Sequence, residues 1–106
     1  MSVRLETTDG ILRAVLSGEI DHHLASDLRA RIDDAIRREK PSALLLDFTD
    51  VTFMDSSGIG LVMGRYRLAK SKGMSVEVTG LNKKYLTIMK MSGLQNLVSL
   101  QEVKNK

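Results

Sequence analysis

The stretch Asp55-Ser56-Ser57-Gly58-Ile59-Gly60 is the part of this chain best equipped for chemistry. Two hydroxyls stand beside a carboxylate and two glycines. They follow an apolar run, Ala43-Leu44-Leu45-Leu46, that reads as a buried strand, and precede a helix-period stretch from Ile59 to Ala69. At such a junction the first helix amides lack partners, so Ser56 or Ser57 can cap the helix. A hydroxyl there also faces solvent beside residues with no side chain, so another protein can approach the backbone closely. A phosphoryl group added to that oxygen would change the contact surface abruptly. Gly18-Glu19-Ile20-Asp21 makes a second junction of the same kind, with Asp21 as the helix cap.

Other chemistries compete for these residues. Ser57 with His22 or His23 and Asp21 has the composition of a hydrolytic triad. The nucleophile-elbow pattern G-x-S-x-G is not met, because Asp55 occupies the first glycine position. Adjacent histidines on a helix point about 100° apart, so one is expected against the neighbouring loop and one in solvent. Two histidines and scattered acids do not make a metal site, and no cofactor is expected. Gly58, Gly60 and Gly64 form a weak dinucleotide-like pattern, with Glu77 near the distance of a ribose-binding acid. Against it, the expected loop from Thr49 to Ser57 parts the strand from the glycines where a dinucleotide fold needs a tight turn. A nucleotide-binding or hydrolysing enzyme built on Ser57-Gly58-Ile59-Gly60 is therefore the alternative to a binding module.

The elements that must position these residues are legible. Val3 to Thr8 and Ile11 to Ser17 read as strands joined by the hairpin signal Asp9-Gly10, with Gly18 ending the second. A helix from Asp21 to about Arg38 carries the apolar stripe Leu24, Leu28, Ile32 and Ile36, with Asp27, Arg31, Asp34 and Arg38 on its solvated face. After the breaker Lys40-Pro41-Ser42, Ala43 to Phe48 is a third strand, apolar enough for burial on both faces. A second helix from about Ser57 to Ser71 stops at Lys72-Gly73. Met74 to Thr79 is a fourth strand, Asn82 caps a third helix to Met91, Leu97 to Leu100 is a short last strand, and Gln101 to Lys106 frays. Leu61, Val62, Leu68, Tyr85, Met89 and Met91 are expected in the core; for Ile59 and Met63 the core and an exposed apolar contact with a partner helix are both open. The predicted fold is α/β: a mixed β-sheet beginning with an N-terminal hairpin, with helices packed on it. Strand-to-helix loops gather at one end of such a sheet, which makes Asp21 and Ser57 neighbours.

Composition bounds the rest. The 106 residues form one expected domain, 1–106, with 42% apolar and 27% charged residues, as in soluble globular proteins. No run approaches the roughly 20 apolar residues of a membrane span, and no secretory leader pattern opens the chain. With no cysteine, disulfide and thiolate chemistry is excluded; a cytoplasmic location fits. The net charge of +3 conceals 7 basic against 11 acidic residues through Gly64, then 9 against 2 from Arg65 onward. Aromatic residues are only 4%, too few for a base-stacking platform, so neither direct nucleic-acid binding nor a membrane partner is expected.

Phe53-Met54-Asp55-Ser56-Ser57-Gly58-Ile59-Gly60, with Gly18-Glu19-Ile20-Asp21 upstream and Met91-Ser92-Gly93-Leu94 downstream, closely resembles the bacterial anti-sigma-factor antagonists of the STAS domain superfamily. His22-His23 and Gly64-Arg65-Tyr66 look most like the sporulation sigma-F branch, whereas the general-stress branch often has threonine at the Ser57 position. The resemblance implies a STAS-like single domain that is not an enzyme but a partner switch. Unphosphorylated, such a protein binds an anti-sigma factor that is also a serine kinase, and the sigma factor is released. The kinase phosphorylates the position matched by Ser57, affinity falls, and a serine phosphatase acting on phospho-Ser57 restores it. Asp21, Asp55, Ser56, Gly58, Ile59 and Gly60 map onto the surrounding recognition surface. Relatives commonly carry a further C-terminal helix, which the weakly apolar end Val103-Lys104-Asn105-Lys106 does not resemble. A generic STAS signalling module is the bland member of the same class.

Overall fold

The computed structural model describes residues 2–103. The strands are β1 (Val3–Thr8), β2 (Ile11–Ile20), β3 (Ala43–Met54), β4 (Ser75–Leu81) and β5 (Ser99–Glu102); the helices are α1 (His22–Glu39), α2 (Ser56–Ser71) and α3 (Lys83–Met91). One five-stranded sheet has the order β1-β2-β3-β4-β5. β1 and β2 are antiparallel, and every later pair is parallel with a helix in the crossover. The hairpin turns at Asp9 (φ 52°) and Gly10 (φ 79°), the positive-φ pair that a tight two-residue connection demands.

Alternation decides which face is covered. Leu12, Ala14 and Leu16 of β2, Leu44, Leu46 and Phe48 of β3, and Val76 and Val78 of β4 are buried, and they join Leu28, Ile32 and Ile36 of α1, Leu61 and Val62 of α2, and Tyr85 and Met89 of α3 in one core. The opposite face is open and polar: Arg4, Glu6 and Arg13 are exposed there, and Glu77 accepts a hydrogen bond from Gln101 (2.6 Å). The expectation that β3 is covered on both faces is thus corrected. Its apolar run is continuous, but Leu45 is only half-buried, and Asp47 lies among the odd-numbered residues. Asp47 is nearly inaccessible because Arg13 (2.6 Å) and the Thr49 amide (2.9 Å) and hydroxyl (2.7 Å) all donate to it. Burial alone would raise its pKa; these hydrogen bonds outweigh burial and hold the carboxyl below the usual range.

Several boundaries differ from the sequence reading. Gly18 does not end β2: it sits at φ 90° within the strand, where the pairing with β3 shifts register, and the strand continues to Ile20. β3 likewise continues through Thr49–Met54, paired only with β2, so no long loop precedes α2. β5 takes in Gln101 and Glu102, after a 3₁₀ turn at Leu94–Asn96; of the frayed terminus expected from the sequence, Lys104 to Lys106 lie outside the described residues. Met91 is 83% exposed rather than core, because α3 ends there with its inward positions already taken by Tyr85 and Met89.

Candidate functional site

The two long strands deliver two helix starts side by side. Ile20 pairs with Met54 at the end of the β2–β3 ribbon, and the Asp55 amide donates to the Ile20 carbonyl (3.3 Å). Asp21 and Asp55, the next residue of each strand, are the two N-caps: Asp21 accepts from the Leu24 amide (2.9 Å), and Asp55 from the Ser57 amide (2.8 Å). The Leu24 hydrogen bond, with a smaller contribution from the His23 charge, holds the Asp21 carboxyl below its ordinary range. The expectation that Ser56 or Ser57 caps α2 is corrected. A carboxylate took that place, and both serines lie in the first helical turn.

This changes what Ser57 is for. Its hydroxyl has no hydrogen-bond partner among the described residues, so it is released from structural work, half-buried at the head of a cleft between α1 and α2. Ser56 is exposed beside it and Ile59 half-buried. Gly58 is buried: a Cβ there would lie 2.6 Å from Met54 Sδ and 3.2 Å from its Cβ, so a side chain fits only if Met54 moves. Gly60 and Gly64 differ in kind, because a Cβ at either would meet nothing within 4 Å. Both open onto the cleft, which is about 450 Å³ and is walled on the α1 side by His22, Ala25, Ser26 and Arg29.

Arg65 and Asp33 fasten the cleft from below. Their ion pair (2.7 Å) joins α2 to α1, with side chains only 6% and 16% exposed. Burial pushes the Arg65 guanidinium below its ordinary value, and Asp33 counters that shift. In the sequence Arg65 is one of the nine cations of the basic half, with nothing beside it to mark it as buried. The half-buried Asp33, adjacent to Asp34 of α1's ion-paired outer face (Asp27–Arg31, Asp34–Arg38), draws it inward instead. Sequence reasoning also missed Ser26 and Arg29. The available signal was the spacing His22, Ser26, Arg29, which puts three polar residues on one side of α1.

The competing chemistries fare differently. Asp21 is committed to its cap, and the exposed rings of His22 and His23 meet edge-on at 5.9 Å, with His22 and not His23 lining the cleft. Glu77 lies on the open side of the sheet, away from the glycines, although the missing tight turn no longer counts against the dinucleotide reading because β3 reaches Met54. Among the described residues no group of three potential metal ligands occurs, and no helix is long and apolar enough to cross a membrane.

A mixed sheet that opens with a hairpin and presents two capped helix starts around a serine defines a class of regulatory α/β domain. The chain belongs to the STAS domain family, whose model matches residues 2–106. Among its relatives, the anti-sigma F factor antagonist of Paenibacillus polymyxa is 34% identical over 102 residues, covering 96% of this chain and 87% of its own length. The anti-sigma-B factor antagonist of Bacillus subtilis is 24% identical over 100 residues, covering 94% and 90%. The fold matches that of the anti-sigma factor antagonist SpoIIAA in its unphosphorylated form (TM-score 0.80, 28% identity, 98% of this chain and 89% of that one). It also matches the Bacillus cell fate determinant SpoIIAA in its phosphorylated form (TM-score 0.76, 28% identity, 98% and 92%).

Proposed function

We propose that this chain is an anti-sigma-factor antagonist that acts by binding, not catalysis, and that Ser57 is its switch. The observation that carries the reading is the Ser57 hydroxyl, left without a fold partner by the Asp55 cap and set at the head of the α1–α2 cleft. Asp21, Asp55, Ser56, Ile59 and Gly60 form the docking end around it, with Gly58 letting α2 close onto Met54. The partner is an anti-sigma factor with serine kinase activity, and a serine phosphatase resets the switch, both acting in the cytoplasm. The higher identity to a sigma-F antagonist than to a sigma-B antagonist supports the sporulation branch.

A phosphoryl group adds roughly −1.5 to −2 charges and three acceptor oxygens. At a helix N-terminus the free amides and dipole tolerate it, so the fold persists. In the complex the dianion would be desolvated against a surface shaped for a hydroxyl, beside Asp21 and Asp55, at a cost of several kcal/mol. About 1.4 kcal/mol already changes affinity tenfold. The test is incubation with the anti-sigma kinase and ATP, location of the phosphate by mass spectrometry, and calorimetry on two variants. Ser57→Ala binds like the parent and takes up no phosphate; Ser57→Asp binds weakly. Equal affinity of the two variants, or phosphate on another residue, overturns the assignment.

A further inference from the structure

The cleft below Ser57 has a charge pattern of its own. No acidic side chain lines it, although three arginines do, and α1 itself carries Asp27, Asp33, Asp34 and Glu39. Arg65 is spent on Asp33. Arg29 is not spent: it stands four residues before Asp33 on α1, the spacing of a helical ion pair, but Asp33 is taken by Arg65 from the facing helix. Among the described residues Arg29 has no ion-pair partner, and its charge is close enough to oppose that of Arg65. Arg67 stands at the rim of the same cleft.

The helices give this charge a direction. α1 and α2 both follow parallel strands, so they run side by side with their N-termini at the same end. Helical side chains lean toward the N-terminus, which is the Ser57 end of the cleft that Arg29 and Ser57 both line. Gly60, one turn below Ser57, adds no side chain to the same cleft, and a Cβ there would meet nothing within 4 Å.

We propose that the α1–α2 cleft is a receiving site for the phosphoryl group of phospho-Ser57, with Arg29 as its principal cation and His22 and Ser26 as hydrogen-bond donors beside it. The modified chain then binds its own dianion within the groove, which closes the groove to a partner as well as changing its charge. Asp21 and Asp55 at the mouth oppose the phosphate, and Arg67 assists from the rim. The proposal rests on Ser57 being the modified residue, but its test does not need the kinase, because phosphoserine can be installed at position 57 by genetic encoding or semisynthesis.

The measurement is a ³¹P NMR pH titration of the phosphorylated chain, alone and as Arg29→Gln. An engaged phosphate titrates below the value of about 6 for free phosphoserine. Arg29→Gln raises that midpoint by about half a unit or more, as loss of a neighbouring cation does. Arg37→Gln removes the same charge at the far end of α1 and leaves the midpoint unchanged. A midpoint insensitive to Arg29→Gln, or equally sensitive to both variants, overturns the receiving site. Loss of kinase-dependent phosphorylation at Ser57, by contrast, would count against the proposed function and leave this titration intact.

Discussion

Gly60→Ala and Gly64→Ala separate what the fold asks of α2 from what a partner asks of it. Glycine inside a helix is less favourable than alanine by about 0.5–1 kcal/mol. A protein accepts that cost where a side chain would collide, as at Gly58 against Met54, but at 60 and 64 a new methyl meets nothing within 4 Å. Only the backbone contribution remains, so each variant is expected to be more stable by about 0.5–1 kcal/mol, with a melting temperature raised by roughly 2–8 °C for a domain of this size. Urea titration and thermal melts followed by circular dichroism measure this. In the complex the sign reverses. A methyl on the cleft floor overpacks a docked backbone by about 1–3 kcal/mol, or roughly fivefold to 150-fold in affinity by calorimetry against the proposed anti-sigma-factor partner. Gly58→Ala is the control, losing stability because Met54 must move. Variants at 60 and 64 that lose stability, or that gain it and bind as tightly as the parent, would show that no partner backbone docks against these two glycines.

Two further outcomes concern the framework. Asp33→Asn leaves Arg65 charged, buried and without its counter-ion, and is expected to lower unfolding free energy by about 3 kcal/mol; the apolar double variant Asp33→Leu with Arg65→Met recovers most of that loss, and a purely additive double variant in urea titrations would count against it. Asp47 has a folded pKa held below its unfolded value near 4, so its stabilising contribution is complete above about pH 4 and is lost as pH falls through the lower folded value. Asp47→Asn should therefore flatten the acid limb of a stability-against-pH curve, and an unchanged slope below pH 4 would show that Thr49 and Arg13 do not favour the charged form.

Local chemistry made much of this fold readable in advance. Asp9-Gly10 can hardly be anything but a hairpin turn, and Asp21 and Asn82 announce helix starts because their side chains accept from the amides three residues on. The α1 stripe followed from period alone. What escaped was set by partners distant in sequence. Thr49-Asp50-Val51-Thr52 has neither burial nor a strand-like apolar face, and it is extended only because β2 runs beside it. Whether Asp55 or a neighbouring serine would cap α2 turned on where that ribbon stopped. Arg65 looked like any surface arginine until Asp33 was found facing it. The site was legible as a motif, whereas its cleft, which needs two helices packed together, was not.

β2 and β3 outrun the sheet. β4 leaves β3 after Asp47 and Thr79, so the last residues before Asp55 project as a two-stranded cantilever. Its tip is moored from the far side: the Met54 amide donates to the Tyr85 hydroxyl of α3 (3.2 Å). The proposed docking end is thus tied to a helix that contributes no residue to the cleft. Drift in α3 can retune the reach of the serine while every residue around it stays the same.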